Sequence, residues 1–323
     1  MTSASASMQA VQFDGYGPPN VLYVATLDMP SPKDGQVLVK VHAASVGGGE
    51  PTIRAGKVAL VMGKKFPMRT GVDFAGEVFS VGAGVTGFEV GDRVWGIMPH
   101  STFGAIAQFV AVPAERLANA PANLTMTDAA SLPAVGTTVL RALDTEGDVK
   151  RGDRVLIRGA TGGVGTVAIQ YAKHLGAHVT GLAGPRNQDW MREMGADEVF
   201  DYTRHQLETL GRFDVILDVV GTEMARYRRL LVPEGRFVEL GFDPDHLLRT
   251  FLYIGFSQLA RQRRVRAFSN NPPQPEIARL TALVESGIIR PVVEKIWLLR
   301  DVAEAHQAIE SGGVRGKHVI AIE

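Results

Sequence analysis

Apolar and polar positions follow two rhythms along this chain, and the change of rhythm divides it. From Val11 to about Asn123 short apolar segments are broken every few residues by Gly, Pro and Asp. Val37-Leu38-Val39-Lys40-Val41 alternates loosely, and Gly76-Glu77-Val78 leads into Val81-Gly82-Ala83-Gly84. Val85 to Met98 forms a turn-and-strand unit, followed by Gln108-Phe109-Val110-Ala111-Val112. Short strands at this spacing predict a partly open β-barrel, with no long amphipathic helix among them.

From residue 126 to 143 the rhythm lengthens to a helical one, carried by Ala129, Ala130, Leu132 and the run Thr137 to Leu143. Val155-Leu156-Ile157 then reads as a buried parallel strand. The glycine-rich turn Gly159-Ala160-Thr161-Gly162-Gly163-Val164-Gly165 follows it. Beyond the turn Val164, Val167, Ala168, Tyr171, Ala172 and Leu175 recur at i, i+3, i+4, i+7, which predicts one buried helix face. Gly176 suits a left-handed cap. Strands are expected at 178–183, 199–202, 213–220, 235–240 and 263–268, with helices at 187–194 and 222–231. Such alternation predicts an α/β fold, a doubly wound parallel sheet with helices on both faces. After a helix at 277–286, residues 291–297 and 317–322 return to β character and are expected to rejoin the first domain. The predicted division is therefore 1–126 with 287–323, and 127–286. No internal repeat is visible.

Bulk properties narrow the function classes. A length of 323 residues fits about two domains. An apolar fraction of 45% with 21% charged residues is that of a globular protein. Lys+Arg and Asp+Glu both number 34, so no charge excess argues for nucleic acid or an anionic membrane as partner. No apolar run reaches membrane-spanning length. The opening MTSASASMQ reads as a loose polar tail rather than a signal peptide, so the expected location is cytoplasmic. The absence of cysteine removes disulfides and thiolate metal sites together.

A strand, a glycine turn and a helix N-terminus make an anion site, because backbone N–H groups converge there and the helix dipole favours negative charge. Missing side chains let a pyrophosphate approach the backbone. An NAD-binding fold usually adds an acidic residue about 20 positions later to hydrogen-bond the ribose 2′-OH. Here that place holds Ala183-Gly184, and Pro185-Arg186-Asn187 follows. A guanidinium suits a dianionic 2′-phosphate, so NADP(H) is the expected cofactor.

Seven segments occur in one order: VLVKVHAASV with IRAG, GVDFAGEV, VGAGVTGFEVGDRV, LPAVGTTVLRAL, GATGGVG, MGADEVFDY and VRGKHVI. In them the chain resembles, over nearly its whole length, the zinc-independent quinone oxidoreductase branch of the medium-chain dehydrogenase/reductase superfamily. The resemblance implies a GroES-like β-barrel domain, a Rossmann domain, a cleft between them where NADPH meets substrate, and a homodimer. It implies cofactor contacts at Thr138, at Ala160, Thr161, Gly162, Gly163, Val164 and Gly165, and at Arg186, Asn187 and Tyr202 around the 2′-phosphate. It adds Gly241 after the fifth strand, and Arg315 and Lys317 on a C-terminal segment that closes over the cofactor.

Two departures matter. Zinc-dependent relatives place a Cys, a GHE motif and a further Cys or Asp around the metal, whereas this chain has Gly47, Val72, Asp73 and Pro133 at those places. A catalytic zinc needs three protein ligands, and only Asp73 could serve, so no metal site is expected. The branch also carries Asn-Pro-x-Asp where this chain reads Gly47-Gly48-Gly49-Glu50. The resemblance puts Gly47, Gly49 and Glu50 in the substrate pocket, and the glycines make either a plain loop or a pocket widened for a bulkier substrate.

Without a metal, simple carbonyl reduction lacks its Lewis acid. Quinones and activated enones need less help, since conjugation spreads the arriving charge, and the protein supplies position and exclusion of water. No essential acid or base is assigned. Glu50 is the one titratable candidate, although a carboxylate after this strand more often serves structure. His42, His100, His174 and His178 show no ligand spacing across an intact helix. The basic run Arg249, Arg261, Arg263, Arg264 and Arg266 reads as a solvated helix face rather than a nucleic-acid or membrane surface, and the resemblance places the strand at 265–268 at a dimer interface. Three readings remain: a quinone or enone reductase using a small-molecule substrate, an enoyl reductase acting on thioester-bound polyketide or acyl chains, and an NADPH-binding structural or sensory protein.

Overall fold

A computed structural model of the chain describes residues 6–59, 63, 65–99, 102–204, 207–242, 246–257 and 265–322. His100, Arg261, Arg263, Arg264, the side chain of Arg249 and the start of the strand expected at 263–268 lie outside the described residues. Two compact units result, Met1–Thr137 with Asn271–Gly287 and Pro291–Glu323, and Thr138–Asn270 with Ile288–Arg290. In chain order the first unit supplies β1 (Ser7–Phe13), β2 (Tyr23–Asp28), β3 (Gln36–Val46), β4 (Met68–Arg69), β5 (Asp73–Val81), β6 (Arg93–Ile97), β7 (Phe109–Pro113) and β8 (Leu117–Asn119). The second supplies β9 (Arg154–Arg158), β10 (His178–Ala183), β11 (Glu198–Asp201), β12 (Phe213–Asp218), β13 (Leu231–Glu239) and β14 (Val265–Ala267). The first is completed by β15 (Val293–Leu298) and β16 (Lys317–Ala321).

β3 organises the first unit. One of its edges pairs antiparallel with β5, and the other is shared between β7 and β16. Register shifts at Leu38/Val39 and Val41/Ala43 let the strand bend, which curls the sheet β15-β16-β3-β5-β6-β8. A smaller sheet, β2-β1-β4, adds Val11 and Phe13 to a core that includes Val39, Phe74, Val94 and Ile320. The helices Met126–Ala129 and Gln274–Glu285 fall in this unit, although the alternation of elements assigned them to the other domain. The physical reason is specific packing: Trp95 Nε1 donates to Thr281 Oγ1 at 3.0 Å, and a Cβ on Gly136 would lie 2.5 Å from the Leu280 side chain. Periodicity tells which face of a helix is buried, not which sheet buries it. A helix at Val302–Glu310 went unpredicted, though Val302, Ala305 and His306 give it a buried face at helical spacing.

In the second unit the strand order is β11-β10-β9-β12-β13-β14, and every pairing is parallel. Numbered within the unit this is 3-2-1-4-5-6, the order of a dinucleotide-binding Rossmann sheet. Val155, Leu156 and Ile157 on its central strand β9 are wholly buried. The helix Gly163–His174 lays Val167, Ala168, Tyr171 and Ala172 against the sheet and is closed by Gly176 at φ +83°. Strand order reverses between β9 and β12, and ligands of such sheets sit at the carboxyl ends there. Among the described residues no helix is long and apolar enough to cross a membrane.

Candidate functional site

The glycine turn leaves β9 at that carboxyl edge. Gly159 adopts φ +70°, and a Cβ on it would lie 3.3 Å from Val219. A Cβ on Gly165 would lie 2.4 Å from the Gly159 carbonyl oxygen and 2.5 Å from Ala160 backbone atoms, so helix and turn touch through backbone alone. Gly162 caps the helix, and the first turn holds no acidic side chain while Lys173 and His174 sit in the last. The N–H groups of that first turn have no intrahelical partner and carry the positive end of the dipole.

Next to it, β10 ends in Ala183 and Gly184 with no carboxylate. Arg186 is exposed, Asn187 is buried, and Tyr202 is 62% exposed after β11. The Tyr202 hydroxyl lies 3.5 Å from where a Gly184 Cβ would stand, which sets it beside the turn that leads to Arg186 and Asn187. Asp201 is the carboxylate at the end of β11, and it accepts from the Thr203 N–H at 2.9 Å and the Thr203 hydroxyl at 2.6 Å. Gly241 follows β13 on the same edge, where a Cβ would lie 2.5 Å from the Val219 carbonyl oxygen.

Below these turns sits a cluster that the sequence reading missed. Arg158, Asp218 and Glu239 end β9, β12 and β13, are register partners, and are all buried. The Arg158 guanidinium pairs with Asp218, donates to the Thr222 carbonyl at 2.7 Å and lies 3.6 Å from the Tyr227 ring centroid. Asp218 Oδ1 accepts the N–H groups of Val220 at 2.9 Å and Gly221 at 3.2 Å. Glu239 Oε1 accepts the Gly241 N–H at 3.1 Å, while its Oε2 is buried without a partner. Burial, and then the charge of Asp218, push the Glu239 carboxyl up to about 10. Burial raises Asp218 as well, against the pull of Arg158. The available signal was a charged residue closing each of three apolar strands.

In the first unit, Glu50 opens the helix Glu50–Arg54 and is 4% exposed. Its Oε1 accepts the Gly47 N–H at 2.8 Å, and its Oε2 accepts the Thr70 hydroxyl and the Gly71 N–H, the latter at 2.9 Å. Burial raises its pKa, while these donors and Lys317 oppose the rise. The carboxylate closes its own loop. Gly48 and Gly49 are exposed with no atom within 4 Å of a built Cβ. Lys317 faces Asp73 at 3.4 Å, and Asp73 also accepts the Ser45 hydroxyl at 2.8 Å and the Ala134 N–H at 2.7 Å. Arg315 is partly buried, with its N–H on Glu294 at 3.1 Å, and Thr138 is partly exposed in the helix Pro133–Leu140. At the superfamily's zinc positions stand Gly47, Val72, Asp73 and Pro133, which cannot form a donor set, and among the described residues no three His, Cys, Asp or Glu gather as ligands. His42 lies beside Glu77, and His178 beside Asp197 and Glu198.

The chain is similar to known proteins. An alcohol dehydrogenase GroES-like domain profile matches residues 33–122, and a zinc-binding dehydrogenase profile matches 194–320. The chain is 35% identical to the NAD(P)H oxidoreductase RTN4IP1, mitochondrial, of Mus musculus, over 99% of this chain and 91% of that one. It is 30% identical to a chloroplastic quinone-oxidoreductase homolog of Spinacia oleracea, over 98% and 99% of the two chains. The solved quinone oxidoreductase from Coxiella burnetii superposes with a TM-score of 0.90 at 31% identity, covering 98% of this chain and all of that one.

Proposed function

The chain belongs to the zinc-independent, quinone oxidoreductase-like branch of the medium-chain dehydrogenase/reductase superfamily, and from that premise we propose an NADPH-dependent reductase of quinones or α,β-unsaturated carbonyl compounds. A nicotinamide cofactor is common ground for this family of oxidoreductases. The preference for NADPH rests on one observation: β10 ends without a carboxylate, the Tyr202 hydroxyl lies beside Gly184, and an exposed Arg186 follows in the chain. In this reading Ala160 to Gly165 hold the pyrophosphate, Arg186, Asn187 and Tyr202 the adenosine 2′-phosphate, and Thr138 and Gly241 the nicotinamide end. When bound, the reduced nicotinamide supplies the hydride.

The chain's own residues supply position and dryness, and the conjugated acceptor carries the incoming charge. Gly48 and Gly49, with no atom within 4 Å of a built Cβ, leave room for that acceptor. Glu50 is the clamp of this loop rather than its acid, because all three of its contacts are donors that hold it as a carboxylate. Lys317 serves as the counter-charge of Asp73. A homodimer through the edge strand β14 belongs to the same proposal.

Dissociation constants for NADPH and NADH test the cofactor, with at least tenfold tighter NADPH expected. Arg186→Ala should erase most of that ratio, in line with about 1.5–3 kcal/mol for a charge-assisted hydrogen bond. Equal affinities in the wild type would end the preference. Oxidation of NADPH against quinones, enones and enoyl thioesters tests the acceptor, and tight binding with no turnover would favour a structural or sensory role.

A further inference from the structure

Three turns meet at the carboxyl edge of the second unit's sheet: Gly159–Gly162, Val219–Gly221 and Leu240–Phe242. They are in backbone contact. A Cβ on Gly159 would meet Val219 and Val220, one on Gly221 would lie 2.6 Å from the Gly241 carbonyl carbon, and one on Gly241 would lie 2.5 Å from the Val219 oxygen. Glycine stands at each of these contacts, so little but backbone separates the turns there.

The side chains that hold these turns come from beneath. Asp218 Oδ1 holds the N–H groups of Val220 and Gly221, and its backbone carbonyl accepts from Leu240 at 2.8 Å and Gly241 at 3.2 Å. Glu239 Oε1 holds the Gly241 N–H. Arg158, last residue before Gly159, joins the first turn to the second through Asp218 and the Thr222 carbonyl. One cation thus serves two carboxyl groups that are both wholly buried.

Charge counting settles the protonation. Arg158 is committed to Asp218 and Thr222 and stacks on Tyr227. From β14 the register partner of Glu239 is Ala267, and Arg266 turns away to the Glu146 carbonyl. Tyr227 and Glu223 bring no further positive charge. Among the described residues no second cation faces Glu239, and a second anion beside Asp218 would share its one counter-ion, so Glu239 keeps its proton.

We propose that Arg158, Asp218 and Glu239 are the positioning residues of the dinucleotide site, with Glu239 a neutral carboxylic acid that must keep its proton for the three turns to stay in register. The inference rests on the dinucleotide reading above and deepens it. Ionisation of Glu239 sets a second negative charge beside Asp218, drives the Leu240–Phe242 turn off the Val219–Gly221 turn, and loosens the ligand.

The test compares wild type, Glu239→Gln and Glu239→Ala. NADPH affinity is read by nicotinamide fluorescence at pH 7 and across pH 8 to 10.5, and melting temperature across pH 6 to 9. Glu239→Ala should weaken NADPH at pH 7 at least tenfold, and Glu239→Gln should restore most of that loss. The wild-type dissociation constant should rise at least threefold more than that of Glu239→Gln above pH 8. The wild-type melting temperature should fall from pH 6 to 9 while that of Glu239→Gln stays level. Equal weakening by Gln and Ala, or parallel pH profiles in wild type and Glu239→Gln, overturns the proposal. If wild type binds neither NADPH nor NADH, the functional reading fails on its own, and the melting comparison alone decides whether Glu239 is neutral.

Discussion

Glu50 in the first unit and Glu239 in the second are both buried carboxyl groups beside a glycine-bearing turn, and they behave as different chemical species. Glu50 receives three hydrogen-bond donors, from Gly47, Thr70 and Gly71, with Lys317 nearby. Glu239 Oε1 accepts the Gly241 N–H, the Leu240 N–H is also near, and its charged neighbour is Asp218. Burial raises both groups, but at Glu50 three donors and Lys317 oppose the rise, whereas at Glu239 the charge of Asp218 adds to it. Burial alone therefore does not fix a carboxyl's state. The count of donors and the sign of the nearest charge decide it.

The largest effect expected from breaking this contrast comes from removing the cation that supports the first cluster. Lys317→Met strands Asp73, which is 1% exposed, without its counter-ion. The expected cost is about 3–5 kcal/mol, the range for breaking a buried pair from one side. Urea unfolding measures it, and adding Asp73→Asn should recover a substantial part. Independent, additive losses from the two substitutions would show that the pair is not coupled.

A second effect is read as a slope. The folded-state pKa of Glu239 stands above its unfolded value of about 4.3, so its contribution to stability is complete below that pH. It is then lost as pH rises toward about 10, at ~1.4 kcal/mol per pH unit. Glu239→Gln keeps the neutral shape without needing a proton, so the variant should gain on the wild type steadily between pH 5 and 9. Chemical denaturation at several pH values checks the sign. A constant difference across that window would mean that Glu239 is ionised like its counterpart in the first unit.

What could be read beforehand follows the same divide between local and distant. The glycine turn and its helix announce themselves because every signal lies within one strand, one turn and three helical turns, from Val155 to Gly176. The parallel sheet was equally open to a reading of alternation. The charge clusters were not, since Asp73 and Lys317 stand 244 positions apart and Glu50 meets Thr70 across 20. Arg158, Asp218 and Glu239 each look like an ordinary strand end, and only the parallel register brings them side by side. Lys317 shows the reverse hazard. The family resemblance implies a cofactor contact for it, and nothing local in the sequence announces that its ammonium group faces Asp73, which stands at the Glu place of the zinc motif. The helix Val302–Glu310 had a readable period and was simply passed over between two strands.

The smallest effect has the opposite sign to the second, which makes it the sharpest check on the contrast. Glu50 accepts at both oxygens, so an amide in its place must turn an –NH2 toward at least one N–H or O–H donor. Glu50→Gln should therefore destabilise by about 1–2 kcal/mol, the cost of leaving a buried donor unmet, at any pH from 6 to 8. Glu239→Gln meets no such clash of donors, because the Gly241 N–H can face the amide oxygen, while the –NH2 replaces a carboxyl O–H at the same partnerless position and needs no proton taken up. One isosteric change at two buried glutamates is thus expected to weaken one unit and strengthen the other. Equal signs in thermal melts of the two variants would show that donor count does not separate the sites.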